Sequence, residues 1–280
     1  MVKKALLIGI NYLKSNNQLG GCINDVTNMA SFLTTYCNYD IANVTLMTDN
    51  TTVLPTRINI ETAIQTFVSN VTTGDILVFY YAGHGISTND ISGDEADRYD
   101  ELIAPLDYWE KGFIKDDWLF ENMVRKIPSG VALYCFADSC HSGTLLDMCF
   151  NVKYFAKCNL SEMPPTYHQD EWTNDYSINV SKVNRSPGKV YLFTSCMDEE
   201  LSSEITFTTG TTGTQGIFSL FLIKILNKYV DPNTKQFKKS ALNVIDFLKE
   251  INCNLKMKNI KQNCQLSLAN ITLFDDKLTF

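Results

Sequence analysis

The chain has 280 residues, 45% of them hydrophobic and 20% charged, with a formal net charge of −7 at neutral pH. That length supports one large domain with a substantial core, or two small ones. The acidic balance argues against nucleic-acid binding through neutralised phosphates and favours a cationic substrate or a bound cation. Taken in chain order, the first apolar run, 5–10, follows Lys3-Lys4 and so resembles a miniature signal peptide. It ends at Asn11 with no small-residue cleavage site, so it is read as a buried strand. Further strand-like runs fall at 44–47, 76–82, 131–136, 190–196 and, more weakly, 265–269. Helical spacing marks 25–36 and 58–71, the second with Ile60, Ala63, Ile64, Phe67 and Val71 on one face; 217–230, preceded by Gly216, and 241–255 repeat the pattern. This alternation predicts a largely parallel sheet covered on both faces.

Between 151 and 187 the chain is polar and irregular, with Pro164-Pro165 near its middle. It is predicted to be a linker, functional or flexible, dividing a block at 1–150 from a smaller one at 188–280. No segment approaches the length of a transmembrane helix, so no membrane partner is expected. The nine cysteines are odd in number and form no CxxC pair. Reduced thiols and a cytoplasmic location are therefore expected, and the sequons at Asn50, Asn70, Asn159, Asn179 and Asn270 are expected to stay unmodified.

Two of the strand-like runs end in reactive side chains. The run 131–136 stops at Asp138-Ser139-Cys140, where Gly143 is expected to supply the turn that displays the thiol. The run 76–82 stops at Gly83-His84-Gly85. Ligands of open α/β sheets bind beyond the carboxyl ends of the strands, so thiol and imidazole are predicted to lie side by side. A free thiol supplies little thiolate at neutral pH, and a histidine neighbour meets that need. Cys135, inside the strand, is expected to be structural. Of the other two histidines, His141 follows the nucleophile and is expected to point away, and His168 lies in the irregular stretch.

The motifs Tyr80-Tyr-Ala-Gly-His84-Gly85, Gly93-Asp-Glu-Ala-Asp-Arg-Tyr-Asp-Glu101 and Asp138-Ser-Cys140-His-Ser-Gly143 closely resemble those of the metacaspases, caspase-like cysteine peptidases. Gly20-Gly-Cys-Ile-Asn-Asp25, Ile114-Lys-Asp-Asp-Trp118 and Gln262-Asn-Cys-Gln-Leu-Ser267 extend the resemblance in register over nearly the whole chain. No Pro-rich or zinc-finger N-terminal extension is recognised, so only a peptidase unit is expected. The resemblance implies a caspase-like three-layer α/β sandwich in one domain, 1–280, with a mostly parallel six-stranded sheet and helices on both faces. It implies a monomeric endopeptidase acting on proteins or peptides after Arg or Lys. Cys140 would be the nucleophile, His84 the general base and acid, and the Gly85 and Cys140 N–H groups the oxyanion hole. No third member of the dyad is evident.

The same resemblance places Asp25 and Asp138 at the base of the pocket for the basic residue, where carboxylates pair with guanidinium or ammonium. It departs at Ala82, where many members carry a hydroxyl. Asp100, Asp116, Asp117 and Asp147 match the positions that hold calcium in calcium-dependent members, and Ca²⁺ takes six to eight hard oxygen ligands. Asp94, Glu95 and Asp97 are read as a solvated acidic loop. Lys153, Lys157, Lys182 and Arg185 are candidate self-cleavage points in the linker. The rival reading is a non-proteolytic scaffold that keeps the fold to bind partner or misfolded proteins; it would have no need of both His84 and Cys140.

Overall fold

A computed structural model of the protein describes residues 1–89, 99–154, 176–180, 186–197, 202–207, 213–238 and 241–280. Its centre is a sheet built from β1 (Lys3–Gly9), β2 (Val44–Thr48), β3 (Ile76–Ala82), β7 (Ala132–Asp138), β8 (Phe150–Tyr154), β9 (Tyr176–Val180), β10 (Lys189–Thr194) and β13 (Gln265–Leu268). The spatial order is β2-β1-β3-β7-β10-β13-β8-β9. The pairs β2–β1, β1–β3, β3–β7 and β7–β10 are parallel, and the three pairs beyond β10 are antiparallel.

The expected sheet is present but has eight strands, not six. The two added strands come from the stretch predicted to be an irregular linker. Their sequences, Phe-Asn-Val-Lys-Tyr and Tyr-Ser-Ile-Asn-Val, alternate apolar and polar residues with the period of a half-buried strand. They form an edge hairpin, which needs no continuous apolar run.

The central strand β3 is apolar throughout because both of its faces are covered. On one face α1 (Cys22–Tyr36), α5 (Ile217–Lys228) and α6 (Val244–Met257) pack against Ala5, Leu7, Val78, Tyr80, Tyr134 and Phe136. On the other, α2 (Arg57–Phe67) and α4 (Asp116–Asn122) pack against Leu6, Ile8, Leu77, Phe79, Leu133 and Cys135. Cys135 is fully buried, as expected of a structural thiol. Phe136 is fully buried and stacks on Phe193 with centroids 5.7 Å apart. Truncating it to Ala would cost about 3–5 kcal/mol.

The period of two along β7 decides where its last residue goes. Asp138 shares parity with Tyr134 and Phe136, so it faces the α1 and α5 side. Two small sheets sit above the strand ends: β4 (Gly85–Asn89) with β5 (Tyr99–Ile103) and β6 (Ile114–Lys115), and β11 (Glu204–Phe207) with β12 (Gly213–Gly216). The remaining helix, α3 (Tyr108–Lys111), is a single turn. No helix among the described residues is long and apolar enough to cross a membrane.

Candidate active site

The loops after β3 and β7 meet because these strands are parallel neighbours with Ala82 paired to Asp138. His84 and Cys140 line one small cavity of about 50 Å³, together with Cys22, Asp25, Asp138, Ser202, Glu204 and Gly216. His141 is not among its lining residues; it holds the left-handed conformation of the turn, at φ 51°. The sharp turn therefore falls on His141 and not on Gly143. Gly85 packs so closely on the nucleophile that a Cβ there would stand 2.0 Å from the Cys140 carbonyl oxygen. No other residue fits at that position.

The imidazole is held by two contacts and the His84 backbone by two more. His84 Nε2 donates to the Asn17 carbonyl at 2.7 Å, and a carbonyl can only accept, so the proton sits on Nε2 and Nδ1 carries the free lone pair. The Tyr12 ring lies against it, with centroids 4.6 Å apart at 31°. The His84 N–H donates to Tyr12 Oη at 3.0 Å, and Tyr81 Oη donates to the His84 carbonyl at 2.8 Å. Tyr12 Oη in turn donates to the Ala104 carbonyl at 2.7 Å.

Cys140 is partly exposed, with the Ser202 N–H donating to its Sγ at 3.3 Å. Burial pushes its thiol pKa up; the Ser202 N–H opposes this, while the neighbouring Asp138 carboxylate raises it further.

Asp25, in the first turn of α1, and Asp138, at the end of β7, converge on Gly216. A Cβ at Gly216 would stand 2.1 Å from Asp138 Oδ2 and 3.0 Å from Asp25 Oδ2. The Gly216 N–H donates to both Asp25 oxygens, at 3.2 and 3.0 Å. Asp138 accepts from Ser202 Oγ at 2.6 Å and from the Ser219 N–H at 3.2 Å; Ser219 Oγ also bonds it and is shared with Tyr80 Oη. Both carboxyls are held above the usual carboxylate range, by burial first; the Asp138 charge adds to the effect at Asp25. Among the described residues their hydrogen-bond donors are all neutral. The hydroxyl missing at Ala82 does not leave Asp138 undersupplied, since Ser202 and Ser219 both serve it.

Of the four proposed metal ligands, the structure gathers three. Carboxylate oxygens of Asp100, Asp116 and Asp117 lie within 4.8 Å of one another, at the junction of β5, β6 and α4. Asp147 falls outside that group, in the loop after Cys140, with its N–H on the Thr144 carbonyl at 2.8 Å. Thr144 Oγ1 donates to Glu101 Oε2 at 2.6 Å, which ties this loop to β5. Lys115 Nζ lies 2.5 Å from Asp100 Oδ2, and this bond raises the Lys115 pKa. Asp94, Glu95, Asp97, His168, Lys157, Lys182 and Arg185 lie outside the described residues.

The family model of the metacaspase peptidase C14 domain matches residues 3–149, which carry both His84 and Cys140. The chain belongs to the metacaspases. Metacaspase-1 of Meyerozyma guilliermondii is 35% identical over 259 residues, covering 80% of this chain and 62% of that one. Metacaspase-1 of Schizosaccharomyces pombe is 47% identical over 151 residues, covering 53% and 36%. The chain thus spans less than two-thirds of the length of these curated relatives. A crystal structure of a protein from Geobacter sulfurreducens superposes with a TM-score of 0.64 at 21% identity, covering 100% of this chain and 98% of that one; it shares the fold.

Three parts of this metacaspase site escaped the sequence. The Asn17 carbonyl supplies the orienting third group, and a backbone acceptor has no residue signature. Ser202 and Ser219 arrive from segments far along the chain. Glu204 is a third carboxylate at the cavity; it accepts from the Gly20 and Gly21 N–H groups, the latter at 2.7 Å. In doing so it caps the α1 N-terminus from another element, where Gly21 offers no side chain of its own.

Proposed function

We propose that the chain is a cysteine endopeptidase that hydrolyses protein and peptide substrates after Arg or Lys. The observation that carries this reading is one cavity lined by a partly exposed thiol, an oriented imidazole and two buried carboxylates. His84 Nδ1 takes the Cys140 thiol proton as Sγ attacks the scissile carbonyl carbon. The oxyanion forms against the Gly85 and Cys140 N–H groups. As the C–N bond breaks, His84 returns its proton to the leaving amine and an acyl-thioenzyme remains. Water, deprotonated by His84, then attacks the acyl carbon, and the thiolate leaves and regains its proton.

Asp25 and Asp138 are charged with selecting the cation. A guanidinium or ammonium in the cavity supplies the positive partner that their neutral donors lack, and it offsets the Asp138 charge that raises the Cys140 pKa. The substrate's own charge therefore helps to release the thiol proton. Calcium is the proposed activator. Asp100, Asp116 and Asp117 offer the convergent hard oxygens it needs, with Lys115 as the competing internal cation. The metal would order the β4–β6 region beside the cleft and take no part in bond breaking.

Self-cleavage is part of the same proposal. Lys153 is paired within β8, so cutting is expected at Lys157, Lys182 or Arg185. All eight cysteines among the described residues are free thiols, which supports a reducing, cytoplasmic setting.

The test is cleavage of fluorogenic peptides ending in Arg, Lys, Asp or Asn, with and without calcium, beside Cys140→Ala. Arg and Lys cleavage that needs Cys140 and rises with calcium supports the whole reading. Turnover indifferent to calcium removes the metal. No turnover from a folded protein leaves the scaffold reading.

A further inference from the structure

Beneath the nucleophile, the Ser139 carbonyl accepts two side-chain hydrogen bonds that the mechanism above does not use. Ser195 Oγ donates to it at 3.1 Å and Cys196 Sγ at 3.3 Å. All three residues are buried, and Ser195 and Cys196 directly follow β10. We propose that Ser195 and Cys196 are positioning residues for the oxyanion hole: by holding the Ser139–Cys140 peptide, they aim the Cys140 N–H into the cleft.

The geometry follows from one covalent fact. The C=O of Ser139 and the N–H of Cys140 belong to the same peptide unit, and no peptide bond among the described residues is cis, so the two groups point in opposite directions. The sheet order β3-β7-β10 puts Ser195 and Cys196 on one side of β7, and His84 and Gly85 on the other. A carbonyl drawn toward β10 turns its N–H toward β3, where Gly85 offers the second donor. Hydrogen bonds to a carbonyl also polarise the amide and strengthen its N–H as a donor.

The donors are fixed in turn. The Ser195 N–H pairs with the Ala137 carbonyl at 2.8 Å, and Gln262 Nε2 donates to the Ser195 carbonyl at 2.7 Å. Burial pushes the Cys196 thiol up to about 12, so it keeps its proton, and its donor role, at any working pH. The far end of the loop is anchored separately: Gln265 Nε2 and Ser267 Oγ both donate to the Gly143 carbonyl, at 2.7 and 3.1 Å. The motif Gln262–Ser267 thus supports both ends of the nucleophile loop.

This inference rests on the peptidase reading, and the experiment separates the two. Ser195→Ala, Cys196→Ala, the double variant and Cys196→Ser would be compared with wild type. The readouts are kcat and KM on an Arg peptide, affinity for a peptide aldehyde with a terminal Arg, and the rate of Cys140 alkylation by iodoacetamide. The aldehyde reads the hole directly: Sγ bonds to its carbonyl carbon, the thiol proton passes to His84, and the oxygen takes the negative charge. Alkylation develops no oxyanion. The double variant is expected to lose roughly ten- to hundred-fold in kcat and in aldehyde affinity, with KM and alkylation rate within about two-fold of wild type. Cys196→Ser keeps a donor and is expected to keep kcat near wild type. Wild-type kcat in the double variant overturns the proposal, as does a loss that falls equally on KM and alkylation. A wild type that cleaves nothing overturns the peptidase reading beneath it.

Discussion

Two groups of aspartates among the described residues, all buried except the half-buried Asp117, differ in what neutralises them. Asp100, Asp116 and Asp117 have an ammonium within the fold, since Lys115 sits on Asp100 and can swing out into solvent. Among the described residues Asp25 and Asp138 are hydrogen-bonded by neutral donors only, from Gly216, Ser202 and Ser219, and burial pushes both pKa values up. Residue type is the same in both places. On the proposed reading, the presence or absence of an internal counter-charge separates a store for an exchangeable cation from a receptor that a substrate cation completes.

The sharpest way to break this contrast is to remove the receptor's charge. Asp138→Asn and Asp25→Asn are each expected to lower kcat/KM for Arg peptides about 100-fold or more, because a desolvated cation is left without its partner. Neither is expected to lower the melting temperature at neutral pH. The folded state raises both pKa values, so it binds these protons more tightly than the unfolded chain does. The stability from that difference is complete below the ordinary carboxylate range and is lost as pH rises through the folded values. At neutral pH the charges cost stability, and amides relieve it. Kinetics beside thermal melts check both halves, and a large drop in melting temperature would mean that the pair is structural.

A smaller effect sharpens the link to the nucleophile. The alkylation rate of Cys140 against pH should give a midpoint above that of an ordinary thiol. A small guanidinium ligand should shift it down, since it offsets the Asp138 charge. Asp138→Asn should reproduce the shift without ligand. A midpoint that ignores both would separate the pocket from the thiol.

The smallest effect belongs to the other cluster. Lys115→Met removes the competing cation and is expected to tighten calcium binding by about two- to five-fold, measured by titration calorimetry. The gain is modest because the lysine is about half exposed. Weaker binding would show that Lys115 supports the site and does not compete for it.

How much of this was legible in the sequence depended on the kind of signal. The central apolar strands are plain because residues such as Leu77–Tyr81 are buried on both faces, while 265–269 gives a weaker signal. β8 and β9 were missed because alternating Phe150-Asn-Val-Lys-Tyr154 was read together with the polar stretch around it. Cys140, His84, Asp25 and Asp138 could be named because each stands in a motif. The Asn17 carbonyl, the Ser202 bridge and the Ser139 anchor could not, since they depend on backbone groups and on contacts between distant segments. Asp147 stands in the same resemblance as the other three but falls outside the group whose oxygens lie within 4.8 Å of one another; only the positions of loops in space could show that.

The most direct test of the account is active-site labelling with a peptidyl chloromethyl ketone ending in Arg and its counterpart ending in Asp, read by mass spectrometry. The account predicts a covalent adduct on Cys140 with the Arg reagent, loss of that adduct in Asp138→Asn, and none with the Asp reagent. Equal labelling by both reagents, or an adduct on another cysteine, would contradict it.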